Sequence, residues 1–400
     1  MYNTGLVKPV ANSDITAETA LYEPIFDASE YAGRLAKVRN AMAERGLDLC
    51  LVSSPENIFY LTGLDHWGYF TPHLLIVPAE GELTLVTRAM EAVTIGHQVH
   101  NARFVGHSDS ESIALKAWDC MREFASPRIG IECWSAGFPD GLGQALRAAS
   151  AAQWVDFSYV IDDIRLVKSP AELNYMRSAA RVSDAMMQAA IDAIGAGVSE
   201  RHVAAQCSSA MIEAGGTYPG FGPFVRPGSR LGEEHTTWGN GTIKNEDTIF
   251  LELSGCVHRY HAPMGRLVHV GGAPQEAQTM AAVAKEAFSA VVQALRPGVL
   301  ARDVYAEWQG VVDGAGLEHY RRHHCGYLVG IGCAPSWTGG NRVVGLRHDS
   351  ALVIEEGMTF HILSWLMGTG RGDFFISNTV MLSSAGAEVL SGITMDPIER

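Results

Sequence analysis

The chain has 400 residues, 47% apolar and 18% charged, with a formal net charge of −14. Such a length exceeds one ordinary core and predicts two compact domains, and an acidic balance without a compensating Lys/Arg block excludes a nucleic-acid backbone as partner. No apolar run approaches the roughly 20 residues of a membrane span, and seven widely spaced cysteines without a C-x-x-C pair exclude a disulfide framework or zinc ribbon and point to a reducing cytoplasm.

Residues 1–20 are polar and lack a secretory signal pattern, so a flexible leader is expected there. Helical apolar spacing over Glu30 to Arg45 precedes a buried strand at Leu47 to Ser53. Two β-type runs, Pro72 to Pro78 and Leu83 to Arg88, bracket Ala79-Glu80-Gly81-Glu82 as a hairpin, and Arg128 to Trp134 is a further strand. This is the pattern of a mixed α/β domain over 21–163.

Ser169-Pro170-Ala171-Glu172 combines a Ser cap, Pro at the first helical position and Glu three after the cap, which opens a long helix running to about Ile194. A second helix follows Ser199. Strands are expected at Thr248 to Cys256 and Gly265 to Val270 on either side of a crossing segment, and helices at Gln275 to Leu295 and Ala301 to Leu317. Strands at Tyr327 to Ile331, Met358 to Trp365 and Phe374 to Leu382 end the chain. Helices then strands, twice over, predict an α+β domain of two similar units over 164–400.

Isolated motifs carry little. His319, His323, His324 and Cys325 are the densest set of metal-ligand types, with His319 and His323 one turn apart if helical, but no H-E-x-x-H joins them. A solvated helix end is the plainer reading. Cys256 and Cys325 fall in strands, where cysteines are mostly inert, and Gly330-Ile-Gly332 lacks the third glycine of a dinucleotide loop. On their own terms His235 is a loop histidine and Glu252 a buried carboxylate paired with Arg259 or Arg266.

Asn57-Ile-Phe-Tyr-Leu-Thr-Gly63, Ile164 to Glu172 and Gly357-Met-Thr-Phe360 resemble landmarks of the creatinase and aminopeptidase-P family, the pita-bread enzymes, over nearly the whole chain. His235-Thr-Thr-Trp238, Glu252 to Pro263 and Asp65-His-Trp-Gly-Tyr69 are most similar to its metal-independent ectoine hydrolases. The resemblance implies an α/β creatinase-like N-terminal domain followed by an α+β pita-bread domain. Metal-dependent members hold two divalent ions with Asp, Asp, His, Glu and Glu; here those places carry Glu252, Pro263, Tyr327, Leu363 and Ser377. Proline and leucine cannot ligate a hard cation, so no metal and no cofactor are expected.

The same resemblance sets His235 beside Glu252 as the acid–base core, with Tyr327 as a third polar group. Imidazole exchanges a proton near neutral pH, and apolar neighbours such as Ile249 and Leu251 raise a carboxyl pKa. His261 is a candidate for hydrogen bonding substrate, with Tyr260 on the opposite strand face. Arg226 and Arg230 are candidates for a substrate carboxylate, and Trp238 and Leu363 line the same expected pocket. Family members are usually dimers whose first domain closes the other subunit's pocket, which puts Trp67, Tyr69 and His73 at a gate suited to a small cationic or zwitterionic solute. The expected activity is metal-independent hydrolysis of a C–N bond in a small amidine or amide. A metal-dependent Xaa-Pro peptidase and a non-catalytic binding protein are the alternatives.

Overall fold

The computed structural model describes residues 23–400 except 123, 125, 126 and 341, so the leader expected at 1–20 lies outside the described residues. Two compact units divide the chain, one reaching Cys133 and resuming over Gly137–Phe157, the other taking Trp134–Ala136 and Ser158–Arg400. The division precedes the 163/164 boundary read from sequence because helix Val160–Ile164 is tied to the second unit: Arg165, its C-cap, bonds Asp162 and the Gly339 carbonyl, both at 3.3 Å.

The first unit alternates α1 (Ala28–Ala43), β1 (Leu49–Val52), α2 (Pro55–Thr62), β2 (Leu74–Pro78), β3 (Leu83–Arg88), α3 (Ala92–Gln98), β4 (Ala102–His107), α4 (Ile113–Met121), β5 (Arg128–Ile131), α5 (Asp140–Ala149) and β6 (Gln153–Asp156). Its six-stranded sheet has the order β4-β3-β2-β1-β5-β6, antiparallel where β1 meets β2 and parallel where it meets β5. Apolar side chains of β1 and β5 pack against Ala114, Met121, Leu142 and Leu146 of α4 and α5. The buried Glu132 carboxylate accepts from the backbone of Ser53 and Ser54 and from the Asn57 amide, at 2.5–2.7 Å. That anchors the start of α2, the Asn57–Gly63 landmark.

The second unit begins with α6 (Val160–Ile164) and the long α7 (Pro170–Ala193), then α8 (Glu200–Glu213), β7 (Phe224–Pro227), β8 (Thr248–Val257) and β9 (Tyr260–His269). It continues with α9 (Gln275–Ala294), α10 (Ala301–Gly314), β10 (Gly326–Leu328), β11 (Thr359–Leu366), β12 (Phe374–Ser383), β13 (Gly386–Val389) and β14 (Ile398–Glu399). The capping box forms as expected, Ser169 Oγ accepting from Glu172 N and the Glu172 carboxylate accepting from Ser169 N. The sheet path is β10-β11-β12-β9-β8-β7, with β13 on β12 and β14 on β9. A helix pair followed by an antiparallel pair thus occurs twice.

One expectation fails locally. No segment crosses between β8 and β9; the two pair along their whole length from Thr248↔His269 to Val257↔Tyr260. His258 and Arg259 close the hairpin with φ of 46° and 65°, the backbone twist that a two-residue turn between right-twisted strands requires. Among the described residues no helix is long and apolar enough to cross a membrane.

Alternation along β8 sends Leu251 and Leu253 into a core with Met186, Met187, Ile191 and Cys207 of α7 and α8, and leaves Phe250, Glu252 and Ser254 on the other face. Contact with α7 is closest at Gly255, where an added Cβ would lie 2.3 Å from the Ala179 carbonyl oxygen and 2.7 Å from Ser183 N. Ser183 Oγ bridges the same place, accepting from Gly255 N at 2.7 Å and donating to the Ala262 carbonyl at 2.6 Å. Gly255→Ala is therefore expected to push α7 off the hairpin and cost about 2–3 kcal/mol, measured by urea denaturation; an unchanged midpoint would show that the helix yields without loss.

Candidate active site

The faces of five strands turned away from α7 and α8 line up through their register. Phe224 lies opposite Glu252, Glu252 opposite Gly265, Gly265 opposite Ser377 and Ser377 opposite Leu363, while Tyr327 on β10 lies opposite His361 on β11. Of the residues read as former metal positions, Glu252, Ser377 and Leu363 therefore share one row, and Tyr327 lies in the neighbouring row, opposite His361.

His361 joins them. Its Nδ1 is 2.9 Å from Tyr327 Oη, its Nε2 2.7 Å from Ser377 Oγ, and Glu252 Oε1 lies 4.0 Å from Nε2. Tyr327 Oη also accepts from Trp337 Nε1 at 2.9 Å. Burial pushes the imidazole down to about 3, so the ring is neutral: one nitrogen donates and the other accepts. Burial, followed by the nearby Glu252, holds the Tyr327 phenol well above its ordinary range. Burial likewise raises Glu252 to about 8, with Arg226 opposing and Glu234 adding to the rise. At neutral pH this carboxyl is mostly protonated.

Arg226, on β7, is 1% exposed, and its Nε and Nη1 have no hydrogen-bond partner among the described residues. Its guanidinium lies 4.1 Å from the Phe250 ring centroid, and Phe250, Trp365 and Phe375 pack as one aromatic cluster. Desolvation lowers its pKa, opposed first by Glu252 and then by Glu234. A buried guanidinium without a paired anion is costly and is the natural seat of a carboxylate.

The structure separates other expected members of the site. His235 is exposed, with φ of 52°; its ring is 6.0 Å from Phe221, which in turn meets Trp337 at 4.6 Å, and no hydrogen bond or ion pair links it to Glu252 among the described residues. The imidazole facing Glu252 belongs to His361. Trp238 is 40% exposed, near Gly222 of the same rim. His261 is fully buried and spent on backbone, Nδ1 donating to the Arg259 carbonyl at 2.8 Å and Nε2 accepting from Gly220 N at 2.9 Å, so it holds a loop and has no free nitrogen for substrate. Arg230 pairs with Glu200 at 2.6 Å and with Glu233 at 2.9 Å. Arg266 is consumed by the carbonyls of Thr394, Gly265, Ser377 and Ile393 and by the Asn378 amide oxygen, and makes no ion pair with Glu252.

Within the first unit, Trp67 is 47% exposed and stacks on Tyr69 at 6.0 Å. His73 is buried, its Nδ1 donating to the Thr71 carbonyl at 2.9 Å, with burial lowering it to about 4. It is a neutral interior histidine. The His319–Cys325 segment is not helical, α10 ending at Gly314. His319 bonds the Thr369 carbonyl at 3.1 Å, while His324 packs against Tyr327 at 5.4 Å.

His361 was missed because the Gly357-Met-Thr-Phe360 landmark stops one residue short of it. Strand period would have found it: it stands two before Leu363 and so shares its face. Its bonds also test the fit to the two divalent ions of metal-dependent relatives. Pro263 and Leu363 offer no donor atom, Tyr327 and Ser377 are engaged with His361, and Glu252 stands alone as a carboxylate. Among the described residues no group of three or more His, Cys, Asp or Glu side chains is placed to hold an ion. The donor set does not fit a dinuclear centre.

Comparison with known proteins agrees with this frame. Residues 174–384 match the profile of Metallopeptidase family M24, and residues 34–167 that of the Creatinase/Prolidase N-terminal domain. An ectoine hydrolase of Halomonas elongata is 28% identical over 92% of this chain and 96% of that protein. A Xaa-Pro dipeptidase of Pyrococcus horikoshii is 23% identical over 90% of this chain and 96% of that one. A prolidase from Thermococcus sibiricus superposes with a TM-score of 0.82 at 23% identity, covering 92% of this chain and 99% of that chain. The creatinase-like N-terminal domain and the pita-bread C-terminal domain expected from sequence are thus the two domains present.

Raising a carboxyl pKa on folding stabilises the protein while both states are protonated, and that stability is lost as pH rises from the unfolded value of about 4.5 through about 8. Glu252→Gln removes the ionisation. The variant is expected to overtake the wild type in stability by a few kcal/mol across that interval, measured by chemical denaturation at pH 5, 7 and 9; parallel curves would place the Glu252 carboxyl in the ordinary range.

Proposed function

The chain belongs to metallopeptidase family M24, and from that premise we propose a hydrolase that opens a C–N bond of a small zwitterionic or cationic amidine or amide without a metal ion. The observation that carries this reading is the buried Arg226 guanidinium, whose Nε and Nη1 have no hydrogen-bond partner among the described residues, on the sheet with Glu252, whose carboxyl burial raises. Ectoine is the first substrate to test, given the similarity to an ectoine hydrolase over nearly the full length of both chains.

In this mechanism Arg226 takes the substrate carboxylate through paired N–H donors. A cationic amidine arriving beside Glu252 favours the ionised carboxyl. The carboxylate then removes a proton from the water attacking the sp² carbon and delivers it to the departing nitrogen as the C–N bond breaks. With its proton on Nδ1, His361 donates to Tyr327 and accepts from Ser377, which leaves the phenol's own proton free to stabilise the adduct. His361, Ser377 and Trp337 act as positioning residues. His235 and Trp238 belong to the rim, and the cytoplasmic homodimer expected from the resemblance is part of the same proposal.

A hydrolysis screen of ectoine, hydroxyectoine, creatine, related amidines and Xaa-Pro dipeptides, with product masses recorded, tests the reading in EDTA and again with added manganese. Turnover of an amidine is expected in EDTA and unchanged by manganese. Glu252→Gln is expected to lower kcat about 10³-fold, and Arg226→Gln to raise KM about 100-fold with a smaller effect on kcat. Cleavage of Xaa-Pro dipeptides that requires manganese would replace this proposal with a peptidase, and saturable binding without turnover of any compound would replace it with a binding protein.

A further inference from the structure

Away from the Glu252 row, the second unit contains a small, half-open recess lined by Arg165, Lys168, Arg342 and one carboxylate, Asp162. The acids do not use all of its positive charge. Arg165 reaches Asp162 Oδ1 at 3.3 Å and Arg342 pairs with Asp163, but among the described residues Lys168 Nζ donates only to the Leu166 carbonyl, at 3.0 Å. Both arginines leave Nε without a hydrogen-bond partner among the described residues. Arg165 and Lys168 are each only 7% exposed, so these are built-in interior cations.

The wall is made for close approach. An added Cβ at Gly330 would lie 2.7 Å from Lys168 Cε, and one at Gly339 would lie 2.2 Å from the Ile331 carbonyl oxygen. Burial lowers Lys168 to about 7, opposed by the attraction of Glu172 and assisted by the repulsion of Arg165. An interior ammonium in this state gains most from an anion placed against it. The recess also adjoins the candidate active site along two segments: Leu328 follows Tyr327 and Thr338 follows Trp337, the two residues joined by the indole-to-phenol bond.

We propose that this recess binds one small oxyanion, a carboxylate or phosphate group, held by Lys168 and by the free Nε–H groups of Arg165 and Arg342.

Isothermal titration of the full chain with sodium phosphate and separately with sodium acetate, ionic strength held constant with chloride, reads the site and distinguishes its two sources. Saturable binding of one ion per chain is expected. Lys168→Met, which keeps the length of the stem, is expected to weaken it about tenfold or more. Arg342→Gln, at the rim, is expected to weaken it a few-fold, and decides the matter if the Lys168 variant fails a thermal melt. Arg226→Gln is expected to leave it unchanged. Absence of saturable heat from both ions would overturn the proposal, as would heat that survives the recess variants, or heat that Arg226→Gln removes, since the anion would then sit on the Glu252 row.

Discussion

A polar side chain on a buried sheet face must find a partner, and that constraint organises the second unit's inner surface. In metal-dependent relatives two cations satisfy the carboxylates and imidazole there. Here the imidazole of His361 is bonded on one side to Tyr327 and on the other to Ser377. Trp337 adds a donor to the same phenol. The site is thereby closed as a neutral hydrogen-bonded network, and Glu252 is left as the one carboxyl in its strand row.

The electrostatics follow from that substitution. Burial raises the Glu252 carboxyl to about 8, while Arg226 stays charged because a guanidinium gives up its proton far less readily. The pair therefore presents a net positive, apolar-walled site. A divalent ion would favour the opposite, an anionic cage. The inversion suits a ligand that brings its own carboxylate.

The frame depends on how closely the α7 helix meets the β8–β9 hairpin. Gly255 and the Ser183 hydroxyl let the helix press on the strand directly behind Glu252, and the tight His258-Arg259 turn keeps β9 paired with β8 to its end. Full pairing is what places Gly265, and through it Ser377, beside Glu252. A looser crossing between the strands would have shifted that row.

Strand and helix positions were readable because their signals are local: the capping box at Ser169, the hairpin at Ala79 to Glu82, the alternation in β8 and β12. That Pro263 and Leu363 offer no donor atom was equally legible, since this holds whatever surrounds them. Which imidazole meets Glu252 was not, because sequence interval measures neither the left-handed turn that holds His235 at the rim nor the register that brings His361 over from β11. His261 misled for the same reason: its residue type suggested a ligand, and only packing reveals that backbone groups occupy both nitrogens. Residue chemistry alone thus determined which groups the site could draw on. Long-range strand pairing decided what it does hold, because hydrogen bonds and pKa values depend on neighbours that the chain supplies from distant segments.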